Sequence, residues 1–221
     1  MYLYLCVICL VFAALFLKAE MKEKYGSAVV LKGLASLCFV IFGVLGSKVC
    51  RDPRFAKLVV IGLILGAVAD VLLNLRYVVK KNGKIVFLLG ILVFLAGHVL
   101  YIAALIPRCK SLSVCIAAGA VLTAGLLAWI FKQITAEKAF KIFGVVYIGV
   151  ITIMNCISLG ALIADPSAQH IVFFAGALLF LASDIILILN TFGGKTKSSL
   201  RIANIALYYV GQLLIALCLQ L

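Results

Sequence analysis

The chain has 221 residues, 67% of them apolar and 12% charged, with a formal net charge of +13. Soluble domains are about 45–50% apolar and about 25% charged, and a mean hydropathy of +1.30 exceeds what a soluble globule can bury. These figures exclude a soluble domain, a disordered chain and a disulfide-knotted scaffold. They also exclude a nucleic-acid-binding domain, because the basic residues sit in short runs between apolar blocks, as in membrane loops.

In chain order, eight hydrophobic blocks are predicted as helices, over roughly 2–17, 28–47, 58–79, 85–106, 112–131, 142–164, 169–192 and 202–221. A span needs ~20 apolar residues, so eight use ~160 and leave ~60 for every connection. The expectation is an all-α polytopic bundle of eight transmembrane helices, one domain over residues 1–221, with no room for a soluble domain. The first block has no basic residue before it and no small-residue cleavage site, so it is expected to be a retained span. The breaks carry turn and charge signals, among them Asp52-Pro53, Asn82-Gly83 and Asp165-Pro166.

Sidedness follows from the basic residues. The side with the two termini and connections 2–3, 4–5 and 6–7 carries Lys48, Arg51, Arg54, Lys57, Arg108 and Lys110. The other side carries the remaining 14, including Lys32 and Arg76 near span ends. The positive-inside rule puts that second side in the cytoplasm and both termini opposite. A bacterial cell membrane is expected over the endoplasmic reticulum. The eight cysteines lie mostly within apolar blocks and are expected to be small core residues, Cys6 and Cys9 included.

The seven acids divide into two groups. Glu20, Glu23, Asp52, Glu137 and Asp165 fall in connections and are expected to be ordinary solvated charges. Asp70 and Asp184 lie inside spans, roughly 8–10 residues from the basic end, ~12–15 Å deep at the helical rise. An Asp near the centre of a span costs ~2.5–3.5 kcal/mol, and is retained where it faces the bundle interior or a wet cavity. Each follows a small residue, Ala69 or Ser183, in similar surroundings four spans apart. That echo suggests two four-helix halves of like topology.

Other polar groups fall at comparable depth. His98 and Tyr101 share a face of span 4, as do Asp70 and Asn74 in span 3. Span 6 carries Tyr147 and Asn155; span 8 carries Tyr208, Tyr209 and Gln212. Lys32 lies about one turn into span 2, where it can reach the polar surface or the site. Tyr77 and His170 are expected at the membrane interface. A metal centre needs three or four ligands; only Asp70, His98 and Asp184 offer a set, and no metal or cofactor is expected.

The strings Leu65-Gly66-Ala67-Val68-Ala69-Asp70, Gly90 to Tyr101 through Phe94 and Gly97-His98, Gly176 to Phe180-Leu181-Ala182-Ser183-Asp184, and Tyr208-Tyr209-Val210-Gly211-Gln212 together resemble the signatures of the YhhN family, also called the lysoplasmalogenase family. One departure is Gly33 after Lys32, where Lys-Pro is expected. The resemblance implies a membrane-embedded ether hydrolase. It would cleave the vinyl ether of lysoplasmalogens to a fatty aldehyde and glycerophosphoethanolamine or glycerophosphocholine. Vinyl ether opening needs a carboxylic acid to protonate carbon and a carboxylate to steady the cation or activate water, a demand like that of glycoside hydrolysis. Asp70 and Asp184 suit that pair, with His98 as a third catalytic candidate. Lys32, Asn74, Tyr101, Tyr147, Asn155, Ser183, Tyr208 and Gln212 are the candidates for binding substrate, Lys32 and neighbouring basic residues holding phosphate. The expected partners are a lysophospholipid within the bilayer and the membrane lipids themselves, and no nucleic acid. The competing readings are a metal-dependent transmembrane lipid hydrolase and a proton-coupled transporter, which two midplane acids also suit.

Overall fold

A computed structural model describes residues 2–79, 81–194 and 196–221. Lys80 and Lys195, counted above with the basic side, lie outside it, as do the side chains of Lys138 and Ala139. Among the described residues there are eight long helices: α1 Leu3–Met21, α2 Tyr25–Ser47, α3 Pro53–Leu75, α4 Gly83–Leu105, α5 Leu112–Gln133, α6 Lys138–Ala164, α7 Ala168–Phe192 and α8 Ser198–Leu217. Short 3-10 turns follow α4 and α8. Each long helix is apolar and long enough to cross a membrane, and the protein is an integral multi-pass membrane protein.

The helices differ from their predicted spans mainly at their ends. Helix α3 starts five residues early, because Asp52 caps it and Pro53 occupies its first turn. The Asp52 carboxylate accepts from the backbone N–H groups of Arg54 and Phe55, both at 3.0 Å. Helix α3 also stops at Leu75 rather than near 79, so Asp70 lies five residues from its end and Asp184 eight from the end of α7. Helix α1 continues to Met21 and carries Glu20 on its last turn. It reverses into α2 through Glu23, whose φ of 57° is left-handed.

Neighbours in sequence pack as antiparallel hairpins except α4 and α5, α4 packing on α6 instead, and α8 packs in the centre against α1, α2, α3 and α7. Between the halves, the packing of α2 on α8 is answered by that of α6 on α4. The crossings repeat as well. A Cβ on Gly97 would stand 3.2 Å from the Gly62 carbonyl, and one on Gly211 2.9 Å from the Gly176 carbonyl. The offset of 114 positions that takes Gly62 to Gly176 and Gly97 to Gly211 also takes Asp70 to Asp184 and Phe94 to Tyr208. The two close helix crossings and the two buried acids therefore share one register. This is the arrangement expected of two parallel four-helix halves.

Candidate active site

Asp70 comes from α3 and is buried beside α2 and α8. Its Oδ1 lies 3.2 Å from the Lys32 ammonium. Its Oδ2 accepts from Ser36 Oγ and Tyr208 Oη, each at 2.6 Å. A buried carboxylate with a cation and two hydroxyl donors has the partners that an anion needs in a dry interior. The Lys32 ammonium also donates to Asn74 Oδ1 at 3.4 Å and lies 5.3 Å from the Phe16 ring centroid. Behind Tyr208 runs a chain of donors: Tyr101 Oη donates to Gln212 Oε1 at 3.5 Å, and Gln212 Nε2 to Tyr208 Oη at 3.3 Å.

Asp184 has a sparser setting. Its Oδ2 accepts from Tyr147 Oη at 2.6 Å, and no side chain among the described residues donates to its Oδ1. Its neighbour Ser183 fixes α7 to α8: Ser183 Oγ donates to the Asn204 carbonyl at 3.1 Å, and Asn204 Nδ2 returns bonds to Ser183 O and Oγ at 2.9 and 2.8 Å.

The two acids line one cavity of about 190 Å³, which runs from Tyr208 and Lys32 to Arg76, Thr196 and Arg201 at the basic end of the bundle. A second, apolar cavity of about 80 Å³ adjoins it between α4, α6 and α7, lined by Phe87, Ile91, Phe140 and Gly144 among others. Asp184, Leu73, Phe94 and Leu187 border both. The result is a polar chamber with a greasy side arm, and Asp184 stands at their junction.

Of the predicted site residues, Asp70, Asp184, Lys32, Asn74, Ser183 and Tyr208 line the polar chamber and Tyr147 lines the apolar arm. Tyr101 and Gln212 reach the site only through Tyr208. His98 lines neither cavity. Its Nδ1 is engaged 2.8 Å from the Phe94 carbonyl one turn back, and its ring packs edge-on against Phe180 and Tyr147, with centroids at 4.8 and 5.5 Å. Asn155 donates to the Ile151 carbonyl of its own helix at 2.9 Å and lines neither cavity.

Of the two places open to Lys32, it takes the site, where Asp70 and Asn74 hold its ammonium. Three further expectations need correction. Glu20 is no solvated loop acid: α1 extends past it, and its side chain faces the chamber with Arg201 Nε 3.8 Å from Oε2. Asp52 caps α3 and pairs with Arg108 at 2.8 Å. His170 is buried, its ring held by Ser167, the Asp165 backbone and carboxylate, and Arg108. The connections are too short to carry these charges away from the bundle. Tyr77, expected at the interface, stacks on Tyr25 at 4.9 Å and borders the chamber mouth.

Ser36 and Asn204 are site residues that sequence reasoning missed. Each stands one turn from a residue that it singled out: Ser36 four after Lys32, and Asn204 four before Tyr208. Among the described residues, no three His, Cys, Asp or Glu side chains are grouped to share a metal ion. The sequence profile of the YhhN family matches residues 27–219. No curated protein and no solved structure matches the chain.

Proposed function

The chain belongs to the YhhN family, and from that premise we propose that it is a lysoplasmalogenase-like hydrolase of the vinyl ether bond. The observation that carries this reading is that both buried acids border one chamber, which meets an apolar arm at Asp184. An amphiphile with its headgroup toward the basic end and its alkenyl chain in the arm brings its ether linkage beside the acids. A chamber open toward the basic end, with a lipophilic side arm, supports hydrolysis over passage across the membrane.

The partners of the acids support a division of roles. Asp70, ringed by Lys32, Ser36 and Tyr208, is the standing carboxylate. Asp184, with one tyrosine donor and an oxygen facing the chamber, is the proton donor. Asp184 gives its proton to the vinyl carbon β to oxygen, and the π pair forms the new C–H bond. The positive charge spreads over the neighbouring carbon and the ether oxygen, and the Asp70 carboxylate stabilises it. Water adds to that carbon and loses a proton to a carboxylate. The hemiacetal then collapses, its hydroxyl proton leaving as the ether oxygen gains one. The products are a fatty aldehyde and the glycerophospho-alcohol. The preponderance of basic residues at the chamber end supports a cytoplasmic mouth and non-cytoplasmic termini.

The test is incubation of detergent-purified protein in D2O with a lysoplasmalogen and with its saturated ether and ester analogues. The expected result is aldehyde release from the vinyl ether alone, with one deuterium on the carbon next to the carbonyl in the first turnovers. Equal cleavage of the ester, or no aldehyde, would overturn the reading. Activity abolished by a chelator and restored by a metal ion would point to a metal-dependent lipid hydrolase instead.

A further inference from the structure

The mouth of the chamber carries charges that the acid–base chemistry does not use. Arg76 caps α3, Arg201 lies in the first turn of α8, and Glu20 lies in the last turn of α1; all three line the chamber. The Arg76 guanidinium stacks on Phe87 and Tyr77, 4.1 and 4.5 Å from their ring centroids, and donates to Tyr77 Oη at 2.6 Å. Its Nε is buried with no hydrogen-bond partner among the described residues. With its faces held and Nη2 given to Tyr77, the guanidinium keeps Nε and its remaining N–H groups for an acceptor. Arg201 is under-paired too: its 3.8 Å approach to Glu20 is an ion contact, too long for a hydrogen bond. Lys32, by contrast, is engaged by Asp70 and Asn74.

The chamber's charges also leave room for an anion. Lys32, Arg76 and Arg201 face Glu20, Asp70 and Asp184, and with the proton on Asp184 one positive charge lacks a counterpart. An arginine recognises phosphate through two parallel N–H donors. Arg76 lies six residues beyond Asp70, about 9 Å along the helix at 1.5 Å per residue. A glycerol backbone with its phosphate has a length of that order.

We infer that Arg76 and Arg201 are the two arms of a phosphodiester site at the chamber mouth, and that Glu20 receives the ammonium beyond it. Zwitterionic headgroups are thereby selected over phosphate monoesters. This rests on the hydrolase reading only in taking the ligand to be a lysophospholipid. Glu20 has two states. Without ligand it neutralises Arg201 loosely; with ligand, the phosphate takes its place on Arg201 and the ammonium takes Arg201's place on Glu20. A phosphate monoester brings more negative charge and no ammonium, so Glu20 opposes it.

The experiment measures calorimetric binding to the detergent-purified full chain. The probes are 1-O-alkyl-glycerophosphoethanolamine, the same alkyl chain on glycerol, alkylglycerol 3-phosphate, chain-free glycerophosphoethanolamine and inorganic phosphate. None has a vinyl ether, so the outcome is independent of which bond is cut. The phosphoethanolamine ether should bind about tenfold or more tightly than the alkylglycerol, as expected for charge-assisted recognition. R76Q and R201Q should each remove most of that advantage while leaving alkylglycerol binding within about twofold, an internal check that the variants are folded. E20Q should weaken the phosphoethanolamine ether and strengthen the alkylglycerol 3-phosphate. Equal affinity for the alkylglycerol and its phospho-analogue would overturn the site. Unchanged binding in both arginine variants would do the same. Inorganic phosphate or the chain-free headgroup binding as tightly as the lipid would overturn the lipid assignment. A working headgroup site without aldehyde release would count against the proposed reaction alone.

Discussion

Asp70 and Lys32 stabilise each other only as a pair, because each would be an uncompensated charge in a dry interior. K32M should therefore destabilise the protein by about 3–5 kcal/mol, the usual cost of breaking a buried pair from one side. K32M combined with D70N should melt well above the sum of the single losses, which a double-mutant cycle of thermal stability in detergent measures. The Tyr147 hydroxyl donates to Asp184. Y147F should slow turnover by about tenfold or more, by loss of a hydrogen bond to a charged or charging group worth about 1.5–3 kcal/mol, with a smaller effect on melting than K32M. The two acids were legible in the sequence because a carboxyl group inside an apolar run is too costly to be incidental. Ser36 and Asn204 were not, since small polar residues are common in membrane helices and gain meaning only from the neighbour one turn away. His98 was over-read: it shares a helix face with Tyr101, but its bond to the Phe94 carbonyl turns the ring into the aromatic packing behind the chamber.

At the level of helices, the glycine crossings carry a clear stability prediction. A methyl group on Gly176 would meet the Gly211 carbonyl at 2.8 Å and the Ile215 backbone nitrogen at 3.0 Å. Backbone cannot yield there as a side-chain tip would, so G176A should cost about 1–3 kcal/mol by overpacking. Gly125 has open space around the same position, and G125A should be neutral or stabilise by up to about 1 kcal/mol through helix propensity. Thermal melts in one detergent compare the two. The cap of α3 predicts a pH dependence. The Phe55 backbone N–H, with Arg108 and the Arg54 N–H, holds the Asp52 carboxyl below its ordinary value against the opposing effect of partial burial. Its contribution is then present above the unfolded value of about 3.9 and is lost as pH falls through the lower folded value. The stability advantage of wild type over D52N should be constant above about pH 5 and shrink below about pH 4. Hydropathy located all eight helices but not their ends. Asp52-Pro53 was visible as a break but not as the start signal that lengthens α3 at its N-terminus, and the stop at Leu75, ahead of the apolar Val78-Val79, makes Asp70 shallower than expected.

Across the whole molecule, the repeat explains why two acids meet. Parallel halves carry Asp70 and Asp184 in equivalent positions, and α8, packed against both α3 and α7, brings both to one chamber. The halves have diverged in what surrounds the acid: lysine, serine and tyrosine around Asp70, and a single tyrosine on Asp184. The sequence echo around the two acids was readable; the shared chamber was not, because it depends on how α8 inserts between α2, α3 and α7. The chamber's place at the basic end ties the site to orientation. Single-cysteine labelling in sealed vesicles should find the Thr196 side protected from an impermeant reagent outside and the Lys110 side open to it. The central claim is that Asp70 and Asp184 act together on one bond, and its most direct measurement is lysoplasmalogen turnover by D70N and D184N, with folding verified by size and melting profile. The account predicts that each folded variant loses turnover by a factor of about 100 or more, in the range of a missing general acid or base. Wild-type rates in both would contradict it.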